Sequence, residues 1–484
     1  METGLVTENK DLLLVRKTWS KFLVGQRELD LTDIQLSAHV VECLIWNLAQ
    51  EKLLQSSSSS EMIHDVTVKF VASSITDLST VILLIQFLTL MRTNELQFLF
   101  DDFSCDIGAF TLLPLIRLIP SIKHVSFVSW KDEGDSVRFG HALRLFLGRD
   151  NNRYQRDRCG TVESITFFAC HFTDVVFLDF LEGLRERSVT GLYMKACNLN
   201  DWHMDALAIA LDKSTIKDSI EHLSLSGNDF TFHSLETLSR ILYQCCFLWE
   251  LDVANCPELL PSLVLGGHED VAEHSVTFKE SFTNALCIHP SLYSLNLDYS
   301  GSGMTLKETI LQPVMKGNTY LAELSMASIE PIVLTSSSLP SGHTSTLTSL
   351  SANFDLHSTE TQEYLWSNTI LTNIDLSLPV EGGEQDDVIT EPQAEFLRRI
   401  CNRNVTLQKL RKFSVLSSRQ TSLKASDSHK EDSSLNPTLW PSLIHQVSMS
   451  SPEDATCLFL FLQHEMSQAA MMGGTKKRRR ICIG

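Results

Sequence analysis

The sequence lacks the common signatures of catalysis. It contains no G-x-x-x-x-G-K-[ST] phosphate-binding loop, no G-x-S-x-G nucleophile elbow and no H-E-x-x-H zinc helix. Its 16 histidines are scattered, without metal-ligand spacing to cysteines. These absences predict a protein that is not an enzyme and that binds neither a cofactor nor a metal ion.

Paired cysteine motifs and long apolar runs are also missing. The 12 cysteines form no C-x-x-C pair, which favours reduced thiols in an intracellular protein. The most apolar stretch, Leu78 to Leu90, has only 13 residues and includes Gln86, so it is too short to span a bilayer. The polar N-terminus does not resemble a secretory signal. We therefore expect a cytoplasmic protein, without membrane attachment.

Positive charge is scarce and unevenly placed. The formal net charge is −19, and five of the 40 basic residues crowd near the C-terminus. An acidic body disfavours nucleic acid as a partner, because phosphate backbones require clustered Lys and Arg. The basic run predicts a nuclear-import signal that an import receptor would bind, although a solubilising tail has the same composition. Its residues are Lys476, Lys477, Arg478, Arg479 and Arg480.

What the sequence does contain is a recurring phrase. It consists of an apolar residue, any residue, an apolar residue, two further residues, and then Cys, Asn or a small group. The clear copies are Ile165–Cys170, Leu192–Cys197, Leu223–Asn228 and Leu251–Cys256, with first residues 27, 31 and 28 residues apart. Regular spacing of this length indicates a solenoid of stacked repeats.

Weaker copies extend the series to twelve anchors between Leu29 and Ile374. Between the phrases, apolar residues recur at spacings of three and four, which is typical of a helix face. Each repeat is therefore predicted to be a strand followed by a helix, with parallel strands on a concave face and helices on a convex face. The weaker anchors are Leu29, Val66, Leu96 (ambiguous by two residues), Val125, Leu295, Leu324, Leu350 and Ile374.

This phrase, with a helix in every repeat, resembles the ribonuclease-inhibitor-like class of leucine-rich repeats. The resemblance covers about Leu29 to Phe413. It implies an α/β horseshoe and a non-catalytic scaffold that binds a protein partner of unknown identity. The same class includes Ran-type GTPase-activating proteins, so a GTPase-activating regulator is the alternative function.

Five segments make up the predicted domain organisation. The helical tail begins at a strong helix start, Ser451-Pro452, and either caps the solenoid or docks elsewhere as an adaptor. The segments are an N-terminal cap (1–28), the solenoid of about twelve repeats (29–413), a Ser-rich linker (414–435), a helical tail or cap (436–470) and a basic disordered tail (471–484).

Alternation along the strands selects the candidate partner-binding residues. Outward positions would form the concave face, where Tyr193 and, if it faces outward, Trp249 are the aromatic anchors. A solvated face without a partner, or binding through the inserted loops 148–158 and 266–270, are the competing interpretations. The concave candidates are Asp30, Thr32, Tyr193, Lys195, Ser224, Ser226, Asp252, Asn296, Asp298 and Ser325.

The last position of the phrase has a structural interpretation. A small polar side chain there is expected to hydrogen-bond buried backbone groups between strand and loop. A reactive or metal-binding thiol is the less favoured interpretation. The residues of this predicted polar ladder are Cys170, Cys197, Asn228 and Cys256.

Overall fold

The computed structural model describes most of the chain up to residue 408. The chain consists of two compact units, residues 1–330 and 331–484. The predicted linker, helical tail and basic tail lie outside the described residues. Those residues are 2–23, 27–55, 66–75, 77–100, 107–131, 136–148, 162–185, 189–260, 269–317, 320–328, 331–334, 346–367, 371–376, 393–405 and 408.

Ten parallel strands in the first unit form one sheet in chain order. Each strand pairs with the next along the chain, as expected when every repeat adds one strand. The strands are β1 (Glu28–Asp30), β2 (Val66–Val71), β3 (Thr93–Leu99), β4 (His124–Val128), β5 (Ser164–Phe168), β6 (Gly191–Lys195), β7 (His222–Ser224), β8 (Glu250–Asp252), β9 (Ser294–Asn296) and β10 (Glu323–Ser325).

Helices precede β1 and follow each of β1 to β9. Neighbouring helices pack against one another along the chain, so they form one layer on one face of the sheet. They are α1 (Glu2–Leu23), α2 (Ala38–Gln55), α3 (Leu78–Met91), α4 (Ile107–Ile116), α5 (Ser136–Leu147), α6 (Asp174–Leu184), α7 (Asp201–Asp212), α8 (Ser234–Gln244), α9 (Glu269–Ile288), α10 (Gly303–Leu306) and α11 (Gln312–Gly317). A π-helical turn, Lys307–Leu311, joins the last two.

Alternate strand residues form the core between the sheet and the helices. In β5, Ile165 and Phe167 are buried, whereas Phe168 is exposed. The Phe167 ring stacks on Phe127 of β4 at 5.0 Å between centroids and meets Phe180 of α6 edge-on at 5.2 Å. The period-two alternation therefore directs one side of each strand into the helix layer and the other side away from it.

The register of the sheet corrects one predicted anchor. Leu29 pairs with Val68, not with Val66, and Val68 pairs with Leu96. Leu96 in turn pairs with Val125, which resolves the ambiguity of the third copy. Because β2 has an apolar, buried residue at every second position (Val66, Val68 and Phe70), its pattern alone permits either choice.

The second unit contains two further repeats. Strands β11 (Ser349–Ala352) and β12 (Asn373–Leu376) are parallel, and Leu350 pairs with Ile374. Helix α12 (Thr359–Ser367) lies between them in the chain, and residues 393–405 are also helical. With these repeats, the predicted α/β solenoid of alternating strands and helices is confirmed.

The long interval between Leu251 and Leu295 is filled in part by helix. We predicted a surface loop at 266–270, but α9 begins at Glu269 and runs for 20 residues. The predicted loop is therefore wrong for its last two residues, which start helix α9. This helix is longer than α8, which precedes it, and α10, which follows it. Among the described helices, none is long and apolar enough to cross a membrane.

Candidate functional site

The sixth position of the phrase forms a regular ladder through five consecutive repeats. We number the phrase from its anchor, so that Leu192 is position 1 and Cys197 is position 6. Each position-6 side chain donates to the backbone carbonyl of position 3 in the preceding repeat. The donors are Cys170 (3.3 Å), Cys197 (3.5 Å), Asn228 (2.8 Å), Cys256 (3.8 Å) and Ser300 (2.6 Å).

Ser300 was absent from the predicted ladder. It is buried, and it also accepts a hydrogen bond from the backbone N–H of Cys256 at 3.3 Å. The ninth phrase ends in Ser rather than Cys or Asn, so a search for those two residues misses it. A hydroxyl can make the same bonds, because it is both a donor and an acceptor.

The thiols of Cys197 and Cys256 in the ladder are held in their neutral form. A hydrogen bond with the Cys170 side chain, together with burial, raises the pKa of the Cys197 thiol, and burial raises the pKa of Cys256 to about 11. Because the thiolate is the nucleophile and the metal ligand, a thiol with a raised pKa is a poor candidate for either role. The hydrogen bonds made at these positions link neighbouring repeats of the fold.

Position 5 adopts left-handed backbone geometry in six consecutive repeats. Each of these residues donates its N–H to the position-4 carbonyl of the following repeat, for example Ala196 to Ser226 at 2.8 Å. The residues and their φ angles are Ser129 (60°), Ala169 (52°), Ala196 (52°), Gly227 (70°), Asn255 (55°) and Tyr299 (55°). Only Gly and Asn favour this geometry, so at the other positions the repeat imposes it.

We call the side of the sheet that faces away from the helix layer the strand face. The predicted binding residues of β6, β7 and β8 are less available on it than we expected. Ser224 is only 2% exposed and Asp252 only 6% exposed. The Ser224 hydroxyl donates to Asp252 Oδ2 at 2.7 Å, and Lys195 Nζ lies 3.3 Å from the same oxygen. The side chains of Ser224 and Asp252 are therefore engaged with neighbouring residues of the sheet, and their contact with a partner stays a prediction.

The carboxylate of Asp298 is likewise engaged within the fold. It accepts hydrogen bonds from the hydroxyl of Ser325 at 2.8 Å and from the backbone N–H of Ala327 at 2.6 Å. Asn296 accepts from the backbone N–H of Asp298 at 3.1 Å. These side chains lie on the strand face, but they also hold the backbone where the strand ends.

At the other end of the sheet, Asp30 pairs with its own turn. Its Oδ1 accepts hydrogen bonds from the backbone N–H of Thr32 at 3.0 Å and from the Thr32 hydroxyl at 2.7 Å. Ser226 is half-buried on the strand face, with its hydroxyl 3.5 Å from that of Ser224. The ten predicted residues are thus spread over several strands and do not converge on one point.

The side chain of Tyr193 lies beside Gly191 of its own strand, β6. A Cβ atom added to Gly191 would come within 2.8 Å of Tyr193 Cε2, so the absence of a side chain at 191 makes room for the ring. Burial, and then the charge of Glu250, raises the pKa of Tyr193. Glu250 Oε2 lies 3.0 Å from His222 Nδ1. The phenol, imidazole and carboxylate are therefore grouped near the start of β6 to β8.

An aromatic pair adjoins this group. The rings of Trp249 and Tyr293 stack at 4.6 Å between centroids and 11° between planes, and Trp249 is 48% exposed. Each residue stands directly before its strand, β8 or β9. The sequence offered Trp249 as an anchor but did not indicate Tyr293, because their stacking depends on the adjacency of two strands that lie 44 residues apart in the chain.

A second group of apolar side chains also escaped the prediction. Val71, Leu99, Val128 and Phe168 occupy position 4 of β2 to β5, and each pairs in register with the next. Position 4 belongs to the strand face, and Phe168 is 49% exposed. We call these four residues the apolar row. They are recognisable in the sequence only once the register of β2 has been fixed.

The remaining predicted binding segments lie outside the described residues: 149–158 of one inserted loop, 266–268 of the other, and the basic run Lys476–Arg480. Within the described part of the chain, no three His, Cys, Asp or Glu side chains come together as a metal site. No family model and no curated protein matches the chain. The fold defines the class of protein as an α/β repeat solenoid, and its function has to be inferred from its own surface.

Proposed function

We propose that the chain is a protein-binding scaffold of the ribonuclease-inhibitor-like leucine-rich-repeat class and that it binds its partner through the strand face. Three observations support the class: a helix follows every strand from β1 to β9, the repeats are about 30 residues long, and the position-6 ladder links each repeat to the one before. Repeat arrays of this kind present extended surfaces that suit another folded protein.

The observation that carries the proposal is the presence of large apolar side chains on the strand face and its edge. A sheet face turned towards solvent is normally polar. Here the apolar row crosses four strands, and the Trp249–Tyr293 stack stands at the start of β8 and β9. Aromatic residues dominate the binding energy of protein interfaces, and contiguous exposed apolar patches mark interaction sites.

The test requires matched substitutions on the two layers of the solenoid. Phe168→Ser and Trp249→Ser remove apolar side chains from the strand face and its edge. Leu178→Ser and Trp202→Ser are the controls, because these residues lie on α6 and α7 and are 50% and 44% exposed. A partner captured from a native cell extract would be identified and purified, and its affinity for each variant would be measured by calorimetry.

We expect each strand-face substitution to weaken binding by roughly tenfold or more, since aromatic hot spots contribute about 2 kcal/mol or more. The two helix-layer controls should retain wild-type affinity. Loss of affinity in the helix-layer variants alone would move the binding surface to the helices. Full affinity in all four variants would point to the inserted loops or the tail and would contradict the proposal.

A further inference from the structure

The residues directly before the strands form a row across the sheet. From β7 to β9 the row reads Glu221, Trp249 and Tyr293. Adjacent strands lie about 4.8 Å apart, which is close to the 4.6 Å between the two ring centroids. The rings are nearly parallel and stacked, so one ring lies beside the other along the row.

Tyr293 therefore covers one face of the Trp249 indole but not the other. Tyr293 stacks on the side of β9, which turns the opposite face of the indole towards β7. The residue of β7 at the same place in the row is Glu221, and it is exposed. A flat group that stacked on this face would extend the stack by one member and lie near the carboxylate of Glu221, the next residue of the row. We call this face of the indole, together with Glu221, the Trp249 slot.

The charge around the Trp249 slot is negative. Glu250 directly follows Trp249, and Glu323 occupies the equivalent place at the start of β10. At the first residue of each strand from β6 to β10 and the residue before it, there is no Lys or Arg. Lys195 of β6, a cation on the strand face, is already paired with Asp252. A cationic partner group is therefore the one that this edge would favour.

We infer that the Trp249 slot binds an arginine side chain of the protein partner, an inference that rests on the proposed function. The guanidinium group is planar, so it can stack on the indole while it donates hydrogen bonds to a carboxylate. Lysine supplies the charge without the flat surface. Citrulline, which has the same shape as arginine without its charge, would stack but would not be attracted by Glu221 and Glu250.

Fluorine NMR of the full chain containing fluorotryptophan tests this inference. The Trp249 signal is assigned by its disappearance in Trp249→Phe. The probe is the peptide acetyl-Gly-Arg-Gly-amide, and it is compared with the same peptide containing lysine or citrulline. We expect the arginine peptide to shift the Trp249 signal saturably, with an affinity about fivefold to tenfold higher than that of either analogue.

Two variants test whether the carboxylate of Glu221 contributes to arginine binding. Glu221→Gln should weaken arginine binding by roughly fivefold, because the carboxylate next to Trp249 in the row loses its charge. Glu163→Gln is the matched control: it removes a carboxylate from the same row, but one that stands before β5 and pairs with Lys123 at 2.7 Å. It should leave the arginine affinity unchanged. Circular dichroism and thermal melting establish that both variants fold.

The inference is overturned if the Trp249 signal shows no saturable shift, if citrulline binds as well as arginine, or if Glu221→Gln and Glu163→Gln behave alike. These results would leave the proposed function standing, provided that Phe168→Ser and Trp249→Ser still weaken binding of the purified partner. Failure of those substitutions, in contrast, would remove the proposed function whatever the peptide does.

Discussion

The side chain of Asn228 bridges its own repeat to the repeat of Cys197. Its Oδ1 accepts hydrogen bonds from the backbone N–H of Cys197 at 2.9 Å and of Leu199 at 3.1 Å. Its Nδ2 donates to the carbonyls of Met194 at 2.8 Å and Leu225 at 2.7 Å. One buried amide thus satisfies four backbone groups that water cannot reach, and it ties two repeats together.

Removing this amide should be costly. We expect Asn228→Ala to lower the free energy of unfolding by about 2–4 kcal/mol, because it leaves buried donors and acceptors unpaired. Asn228→Cys, which copies the neighbouring positions of the ladder, should lose less, since a thiol can still donate to Met194. Urea unfolding followed by circular dichroism measures both values. Equal losses for the two variants would show that hydrogen bonding at position 6 contributes little.

At the left-handed position 5, removing a glycine and introducing one should change the free energy of unfolding in opposite directions. Gly227→Ala should lower the free energy of unfolding by about 1 kcal/mol, and Ala196→Gly should raise it or leave it unchanged. Space is not the cause, because a Cβ at Gly227 would meet its nearest neighbour at 3.4 Å. The control is Ala206→Gly within α7, which should destabilise by about 1 kcal/mol. Destabilisation by Ala196→Gly as large as that of Ala206→Gly would contradict the prediction.

His289 should make the stability depend on pH. Burial lowers the pKa of its imidazole, Nε2 donates to the carbonyl of Cys245 at 3.1 Å, and Nδ1 accepts from the N–H of Leu292 at 3.0 Å. The unfolded chain therefore takes up the proton more readily than the folded chain. The stabilisation is complete above the ordinary pKa of about 6.5 and is lost as the pH falls below it.

We expect the melting temperature of the wild type to fall between about pH 7.5 and pH 5.5, and that of His289→Gln to fall less over the same range. Some dependence should remain in the variant, because burial also lowers the pKa of His203. Differential scanning calorimetry at both pH values gives the comparison. Identical decreases for wild type and variant would exclude His289 as a source of the pH dependence.

Cysteine labelling should separate buried from accessible thiols. Cys246 is exposed, whereas Cys170, Cys197 and Cys256 are buried and hydrogen-bonded to backbone carbonyls. With iodoacetamide at neutral pH, followed by peptide mass spectrometry, we expect rapid alkylation of Cys246 and protection of the other three until denaturant is added. Rapid labelling of a ladder cysteine in the folded protein would show that this position opens, or that its thiol is activated.

The basic run Lys476–Arg480 is predicted to be a nuclear-import signal from sequence alone. We expect its deletion to move a fluorescent fusion of the chain from the nucleus to the cytoplasm. The matched control replaces the five residues with an equal number of glycines and serines, which keeps the length and removes the charge. An unchanged distribution in both variants would reject the signal and favour a solubilising tail.

The repeat architecture was predictable because it rests on local patterns. Within each of the two units the anchors align with their neighbours as written, except that Val66 has to be replaced by Val68. In β2, Val66, Val68 and Phe70 stand at every second position, so the alignment is set by pairing with β1 and β3 rather than by the segment itself. The predicted polar ladder came from the repeated Cys and Asn, and Ser300 was missed because a single serine is not distinctive.

The binding surface was less predictable because it depends on neighbouring strands. Alternation correctly assigns Ser224 and Asp252 to the strand face, but it cannot show that they hydrogen-bond each other and are covered there. In the same way, Trp249 and Tyr293 become a pair only after β8 and β9 are placed side by side. A single strand determines which way a side chain points, whereas its exposure is determined by the strands on either side.

Site-specific photo-crosslinking tests the central claim most directly. Benzoylphenylalanine would be introduced at Phe168 on the strand face, at Trp249 at its edge, or at Leu178 in the helix layer, and irradiated with the purified partner. We expect crosslinks to the same partner from Phe168 and Trp249 and none from Leu178. A crosslink from Leu178, with none from the other two positions, would contradict binding through the strand face.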